Sequence, residues 1–374
     1  MIYLDNAATT LLDPQVAEVM TNTLTAYPGN PSSLHRLGRE ASRLLSACRE
    51  EILQALGGSG SLAFTSGGTE SNNWAIAGAL HLMRHKGRHI ISTATEHDAV
   101  LAPLRVLTDQ SYEVTLLQPD SAGQISPDDL KNALRLDTGL VSVMLVNNET
   151  GAIAPIREMA QLVRENSSAL FHTDAVQALG KTPFSAEALG VDLLSISTHK
   201  LHGPCGIGGL WIRDSVKLPP LMRGGGQEGG LRSGTEALHQ IAGFAKAVEL
   251  SMATLSETIA HMDALQVYLR ETLAAAISHV RFLPQGAPHI VSLSLPGAKS
   301  EVLMNFLDSK DIYVSHASAC KRGGRSHVLS AMGLPNDVID GTLRVSFSRD
   351  TSFSDIDQFA EALTEASRTL FPSR

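Results

Sequence analysis

Cysteine, aromatic residues and long apolar runs are all scarce in this 374-residue chain. Its three cysteines, Cys48, Cys205 and Cys320, are odd in number, far apart and without a C-x-x-C pair. Neither a disulfide framework nor a zinc-binding cysteine set is therefore expected. No stretch approaches the roughly 18 consecutive apolar residues of a membrane span. Met1 leads directly into a strand-like segment, with no basic region followed by an apolar one. Runs of Lys and Arg are also missing, and 30 Lys+Arg against 38 Asp+Glu leave a formal charge of −8. That balance argues against non-specific DNA binding and against anionic membranes. The expectation is a soluble, cytoplasmic protein with no direct DNA or membrane partner. A phosphate-sized ligand stays open, because local amides can bind one.

What the chain does have is core: 43% hydrophobic residues exclude a disordered polymer. At roughly 150 residues per domain, the length suits two or three domains. Between about residues 60 and 215, strand-like runs alternate with helical ones: Leu62–Thr65, His89–Thr93, Val141–Val146, Ala169–Thr173, Leu193–Ser197 and Gly209–Ile212. Most are continuously apolar, as in strands buried on both faces of a mainly parallel sheet, so an α/β domain is predicted. Such sheets bind ligands at the carboxyl ends of their strands. The residues found there are Ser66-Gly67-Gly68-Thr69-Glu70, Glu96-His97-Asp98, Asn147-Asn148-Glu149, Asp174 with Gln177, and Ser197-Thr198-His199-Lys200.

Further along, Gly224–Gly230 is glycine-rich, and Ser233 or Thr235 is positioned to cap a following helix. Residues 236 to about 280 read as one long helix connecting two domains. Strand-like His289–Leu295, Ile312–Val314 and Thr342–Phe347, with helix-like Ser300–Ser309, Ser326–Met332 and a closing helix from Ser354, predict a smaller α+β unit.

Each candidate has a chemical and a plain reading. Ser66–Thr69 suits an anion at a helix N-terminus, or is an ordinary strand-to-helix turn. Lys200 is a desolvated amine nucleophile or a solvated lysine. Asp174 holds a pyridinium proton or caps a helix, and His97 lies against a ring face or is a satisfied polar residue. Histidines 81, 85 and 89 have metal-ligand spacing on a continuous helix, but Gly87 breaks the segment and favours a cationic helix end. Cys320 stands among Lys321, Arg322 and Arg325 in a glycine-containing loop that favours thiolate, whereas Cys48 reads as core and Cys205 is ambiguous. Arg344 in an apolar strand either forks onto a carboxylate ligand or forms a structural salt bridge.

Together these motifs resemble the cysteine desulfurases of the NifS/IscS type, class V aminotransferase relatives of fold type I. The likeness runs through Tyr3–Thr10, Gly29–Ser33, Phe64–Asn72, Thr95–His97, Val146–Glu149, His172–Gln177, Ser197–Lys200, Arg232–Thr235 and Ser318–Cys320. It implies an aspartate aminotransferase-like fold with a seven-stranded sheet, a large domain over residues 16–255, and a small domain of 1–15 with 256–374. It also implies a homodimer and pyridoxal 5'-phosphate as cofactor. By the same resemblance Lys200 forms the Schiff base and moves protons, Asp174 pairs with the pyridine nitrogen, and His97 stacks on the ring and acts as acid or base. Asn148 and Gln177 meet the ring hydroxyl region. Gly68, Thr69, Ser197 and His199 match phosphate-binding positions, and Thr235 reaches the partner subunit's phosphate. Arg344, aided by Asn6 and Asn148, matches the substrate-carboxylate site, and Cys320 the nucleophile. No metal is implied.

The implied reaction converts L-cysteine to L-alanine and passes sulfur to Cys320 as a persulfide. From there it moves to an acceptor for iron–sulfur cluster assembly or tRNA thiolation. The alternatives are a selenocysteine lyase or another class V reaction, and a non-catalytic scaffold or regulator of sulfur transfer. Three departures from the family pattern stand out: Cys205 where lysine is usual, His316-Ala317 where Ser-Gly is usual, and a Cys320 loop about two residues shorter than in long-loop members.

Overall fold

The computed structural model describes residues 1–316 and 324–371. Its centre is a seven-stranded sheet in the order Ser61–Thr65, Gly208–Ile212, Leu193–Ser197, Leu170–Asp174, Thr138–Ser142, His89–Thr93, Glu113–Leu117. Gly208–Ile212 runs antiparallel to both neighbours, and the remaining pairs are parallel. Neighbouring residues of one strand serve opposite cores. Ile91, Val141 and Leu194 join a cluster with Ile52, Phe171 and Phe244, whereas Ile90, Leu140 and Leu193 join one with Trp74, Ile76 and Leu80. The period-two geometry of a strand covered on both faces produces this division.

Two differences from the sequence reading concern this sheet. The edge strand Glu113–Leu117 was not expected, because Glu113 and Leu116 are exposed and no continuous apolar run marks it. The run expected at Val141–Val146 forms a strand at Thr138–Ser142 instead. The amides of Val143 and Leu145 still donate to the carbonyls of His172 (3.1 Å) and Asp174 (2.9 Å), so the chain stays alongside its neighbour on leaving the strand.

The long helix expected from residue 236 is two helices, Leu238–Ala253 and Leu255–Ala276. The break at Thr254 is where the chain changes cores. Leu238, Ile241, Phe244 and Val248 pack beneath the large sheet, while Met262, Leu265, Leu269 and Leu273 pack with residues from both chain ends. The first of these helices starts after Ala237, and neither Ser233 nor Thr235 caps it.

The C-terminal part carries a four-stranded sheet in the order Ser315–His316, Thr342–Ser346, Ile290–Ser294, Arg281–Phe282, antiparallel throughout. The chain start joins it: Ile2–Tyr3 pairs in parallel with Ile312–Tyr313, and Asp5 bridges to Ser346. Ile2 and Leu4 lie in one apolar cluster with Val291, Leu343, Phe347, Phe359 and Leu363. The closing helix, Phe353–Leu370, starts on a capping box of Ser352 and Asp355.

Candidate active site

The carboxyl edge of the large sheet gathers most of the residues singled out above. Asp174 ends its strand nearly buried, and its carboxylate accepts from Asn72 Nδ2 (2.7 Å) and the Val176 amide (2.9 Å). Both of these donors are neutral groups. A cation at its face would complete that environment.

Beside it, Gly67 precedes the helix Gly68–Met83 at φ 149°, a backbone open to glycine, and supplies no side-chain cap. A Cβ on Gly67 would meet only Ser197 Oγ, at 3.9 Å, whereas one on Gly68 would stand 2.8 Å from Val176 Cγ2. The turn is thus cut close to the sheet and open above, with Ser197 beside it and Thr69 exposed on the first helical turn. A phosphate fits the free helix amides and hydroxyls, and a protonated pyridine nitrogen fits Asp174.

His97 caps the helix Asp98–Asp109, its Nδ1 accepting from the Ala99 amide at 3.0 Å. Burial, reinforced by Lys200 and opposed by Asp174, keeps the imidazole below its ordinary pKa. A neutral ring whose Nδ1 accepts must carry its proton on Nε2, so His97 presents an N–H. His199 is neutral too, pushed down to about 4 by burial and by Lys200 and Lys181. Its carbonyl accepts from the Thr10 amide (2.8 Å) and from the hydroxyls of Thr9 and Thr10, so the chain start braces half-buried Lys200.

Arg344, only 2% exposed, crosses to this edge from the small sheet. It donates to Asp5 Oδ1 (2.9 Å) and to the Asn148 carbonyl (2.8 Å), while its Nε finds no partner among the described residues. The salt-bridge reading is thus realised, and a donor remains for a ligand. Asn6 spends both amide hydrogens on the carbonyls of Tyr3 and Ser346, which leaves it only Oδ1 to offer. Gln177 is buried and donates to the Ala7 carbonyl (2.8 Å). Thr235 is exposed and shares a cavity of about 200 Å³ with Ser66, Glu228 and Arg232.

Cys320 lies outside the described residues. The described residues on either side of it lie at this site. His316 follows Ser315, which pairs with Arg344 across the strands, and beyond the loop Ser326 donates to buried Glu149 while His327 Nε2 reaches the Glu96 carbonyl at 3.0 Å. Cys48 is a core thiol, pushed up to about 11 by burial, and Cys205 is exposed. His89 turns into the sheet between Thr138 and Thr115, away from the helix that carries His81.

Sequence reasoning passed over Asn72, Glu149, Ser326 and His327. The first two sat inside motifs already noted, and their place beside strand ends was the available signal.

A family model described as aminotransferase class-V matches residues 2–359. The cysteine desulfurase IscS of Methanosarcina thermophila is 42% identical over 369 residues, 97% of this chain and 91% of that protein. Among solved structures, a NifS-like protein superposes with a TM-score of 0.92 at 36% identity, covering 97% of this chain and 98% of the other. A structure titled SspA in complex with cysteine has a TM-score of 0.79 at 30% identity, covering 94% of this chain and all of that one.

Proposed function

Because the chain belongs to the class V aminotransferase family and is a cysteine desulfurase within it, we propose that it binds pyridoxal 5'-phosphate at the large-sheet edge and stores sulfur on Cys320. When bound, that cofactor supplies an electron sink that lets the Cα of L-cysteine lose its proton and weakens the Cβ–S bond.

The chain's own residues do the rest. Lys200 would hold the cofactor through its Nζ and would carry the Cα proton. Asp174, oriented by Asn72 and the Val176 amide, keeps a proton on the pyridine nitrogen. His97 would lie against the cofactor ring and offer an N–H from Nε2; its capping bond to Ala99 favours this over proton exchange at Nδ1. Gln177 and Asn148 meet the ring hydroxyl region. Gly68, Thr69, Ser197 and His199 hold the phosphate. Arg344 orients the substrate carboxylate, aided by Asn148, with Asn6 contributing through Oδ1. The Cys320 thiolate attacks the substrate sulfur, the Cβ–S bond breaks, and the products are L-alanine and an enzyme persulfide.

The observation that carries this reading is Asp174, a buried carboxylate at a strand end oriented by two neutral donors, Asn72 Nδ2 and the Val176 amide. The two flanks of the Cys320 loop, both anchored at the same edge, support the thiol's role.

The same proposal divides the chain into a large domain, 16–255, and a small one, 1–15 with 256–374. Support comes from the change of core at Thr254 and from the cluster that joins Ile2 and Leu4 to the C-terminal half. A homodimer places Thr235 at the phosphate site of the second copy. The exposed Leu11, Leu12, Leu24, Tyr27 and Leu34 are apolar surface such an interface would bury. No helix among the described residues is long and apolar enough to cross a membrane. We place the reaction in a reducing cytoplasm, with the persulfide passed to an iron–sulfur scaffold or a tRNA-thiolation protein.

Mass spectrometry of the holoenzyme after L-cysteine tests this. The expected result is a one-sulfur adduct on Cys320, L-alanine as product, and loss of sulfur release in Cys320→Ala. A keto-acid product, or full sulfur release by that variant, overturns it.

A further inference from the structure

His289 is completely buried just ahead of the strand Ile290–Ser294, in the C-terminal half of the chain. Its backbone is fixed. Its carbonyl accepts from the Phe347 amide at 2.9 Å, and the NH2 of buried Gln266 sits among the carbonyls of Ala287, Pro288 and Ile290, 3.2–3.4 Å from each. Its Nε2 stands 3.2 Å from Gln177 Oε1.

The chemistry of that contact has one solution. Gln177's other amide atom lies 2.8 Å from the Ala7 carbonyl, a group that can only accept, so the NH2 faces Ala7 and the oxygen faces His289. His289 must then donate from Nε2. Its Nδ1 has no partner among the described residues, and the charges that act on it, from Lys181, Lys200 and Arg344, are all positive. Burial and those cations hold the ring well below its ordinary pKa, so it is neutral, with Nδ1 bare. Lys181, the strongest of these influences, is itself buried with no partner for its Nζ among the described residues, and burial depresses its pKa as well.

We propose that His289 is a positioning residue that acts through Gln177: by donating to the amide oxygen it fixes the orientation in which the second amide N–H of Gln177 is presented to the ring hydroxyl. Rotation of the amide would set two acceptors, the Ala7 carbonyl and Gln177 Oε1, against each other and leave the His289 N–H unmatched. The inference rests on the reading above that places Gln177 at the cofactor's ring hydroxyl.

Three measurements on the full-length protein test it. Nitrogen-15 NMR of histidine-labelled apoenzyme and holoenzyme is expected to show His289 neutral and protonated on Nε2 from about pH 6 to pH 9. An Nδ1–H tautomer or an imidazolium in that range overturns the proposal. In the holoenzyme, His289→Leu is expected to shift the pH at which the bound cofactor's visible absorbance changes and to weaken cofactor retention about 5-fold to 30-fold. His289→Gln, which restores an N–H donor at similar reach, is expected to recover most of both. Equal behaviour of the two variants overturns the proposal. Gln177→Leu separates the two levels: if it leaves the absorbance titration unchanged, the placement of Gln177 is wrong, and if it shifts the titration while His289→Leu does not, only the role of His289 is wrong.

Discussion

The two halves of the site are built in different ways. On the large-sheet side the polar groups sit close to strand ends and take at least one partner from the next few residues: Asp174 the amide two residues on, in addition to Asn72, and His97 the amide of Ala99. On the small-sheet side the groups are held by contacts between opposite ends of the chain. Arg344 meets Asp5, Asn6 donates to the Ser346 carbonyl, and the Ala7 amide donates to Ser346 Oγ at 2.8 Å. A strand end can present chemistry as soon as its sheet forms, whereas the second half exists only once both termini and the small sheet have assembled. The first half is therefore expected to carry the chemistry with little bearing on stability, and the second to couple substrate binding to folding.

Substitution of Asp174 gives the largest effect expected. Asp174→Ala should lower kcat for alanine formation by about 10²–10³-fold, the scale of removing one preorganised electrostatic partner, with only a small change in melting temperature. Arg344→Leu comes next. It should raise the KM for L-cysteine about 10-fold or more and cost about 1–3 kcal/mol of stability, because Asp5 and the Asn148 carbonyl both lose a charged donor. Kinetics and denaturant melts on the same preparations check both. If Asp174→Ala melts as early as Arg344→Leu, the contrast between a local and an assembled half fails.

That contrast also explains what could be read in advance. The strands of the large sheet show as apolar runs, and the rule that ligands gather at their carboxyl ends was enough to select Asp174, His97, Ser197 and Lys200. Glu113–Leu117 escaped because an edge strand with exposed Glu113 and Leu116 lacks the buried signature. The break at Thr254 was hidden because helix propensity continues smoothly through it; only the change of packing partner ends the first helix. Neither the pairing of His289 with Gln177 nor that of Glu149 with Ser326 leaves a local trace, since each joins positions more than a hundred residues apart. Burial and the identity of the neighbour, the facts that give these residues a role, are properties of the assembled chain.

Glu96 tests whether local satisfaction on the large-sheet side is complete. It follows the strand His89–Thr93, fully buried, with Oε1 accepting from Thr93 Oγ1 (2.8 Å) and the Met144 amide (2.9 Å) and Oε2 without a partner among the described residues. Burial pushes its carboxyl up to about 8, although both hydrogen bonds pull the other way. An unfolded glutamate titrates near about 4.3. Between these values the folded chain binds a proton that the unfolded chain has released, so the contribution of Glu96 is fully present below about pH 4 and is lost as pH rises towards 8. Glu96→Gln keeps the Oε1 acceptor and removes the titration. Its stability relative to the parent should therefore rise by roughly 1–4 kcal/mol between about pH 5 and pH 8.5, read as the difference between denaturant melts at the two values. A difference that stays constant with pH would mean that Glu96 ionises freely. The large-sheet edge would then carry a compensated buried charge at Glu96, as the small-sheet side does where Arg344 meets Asp5.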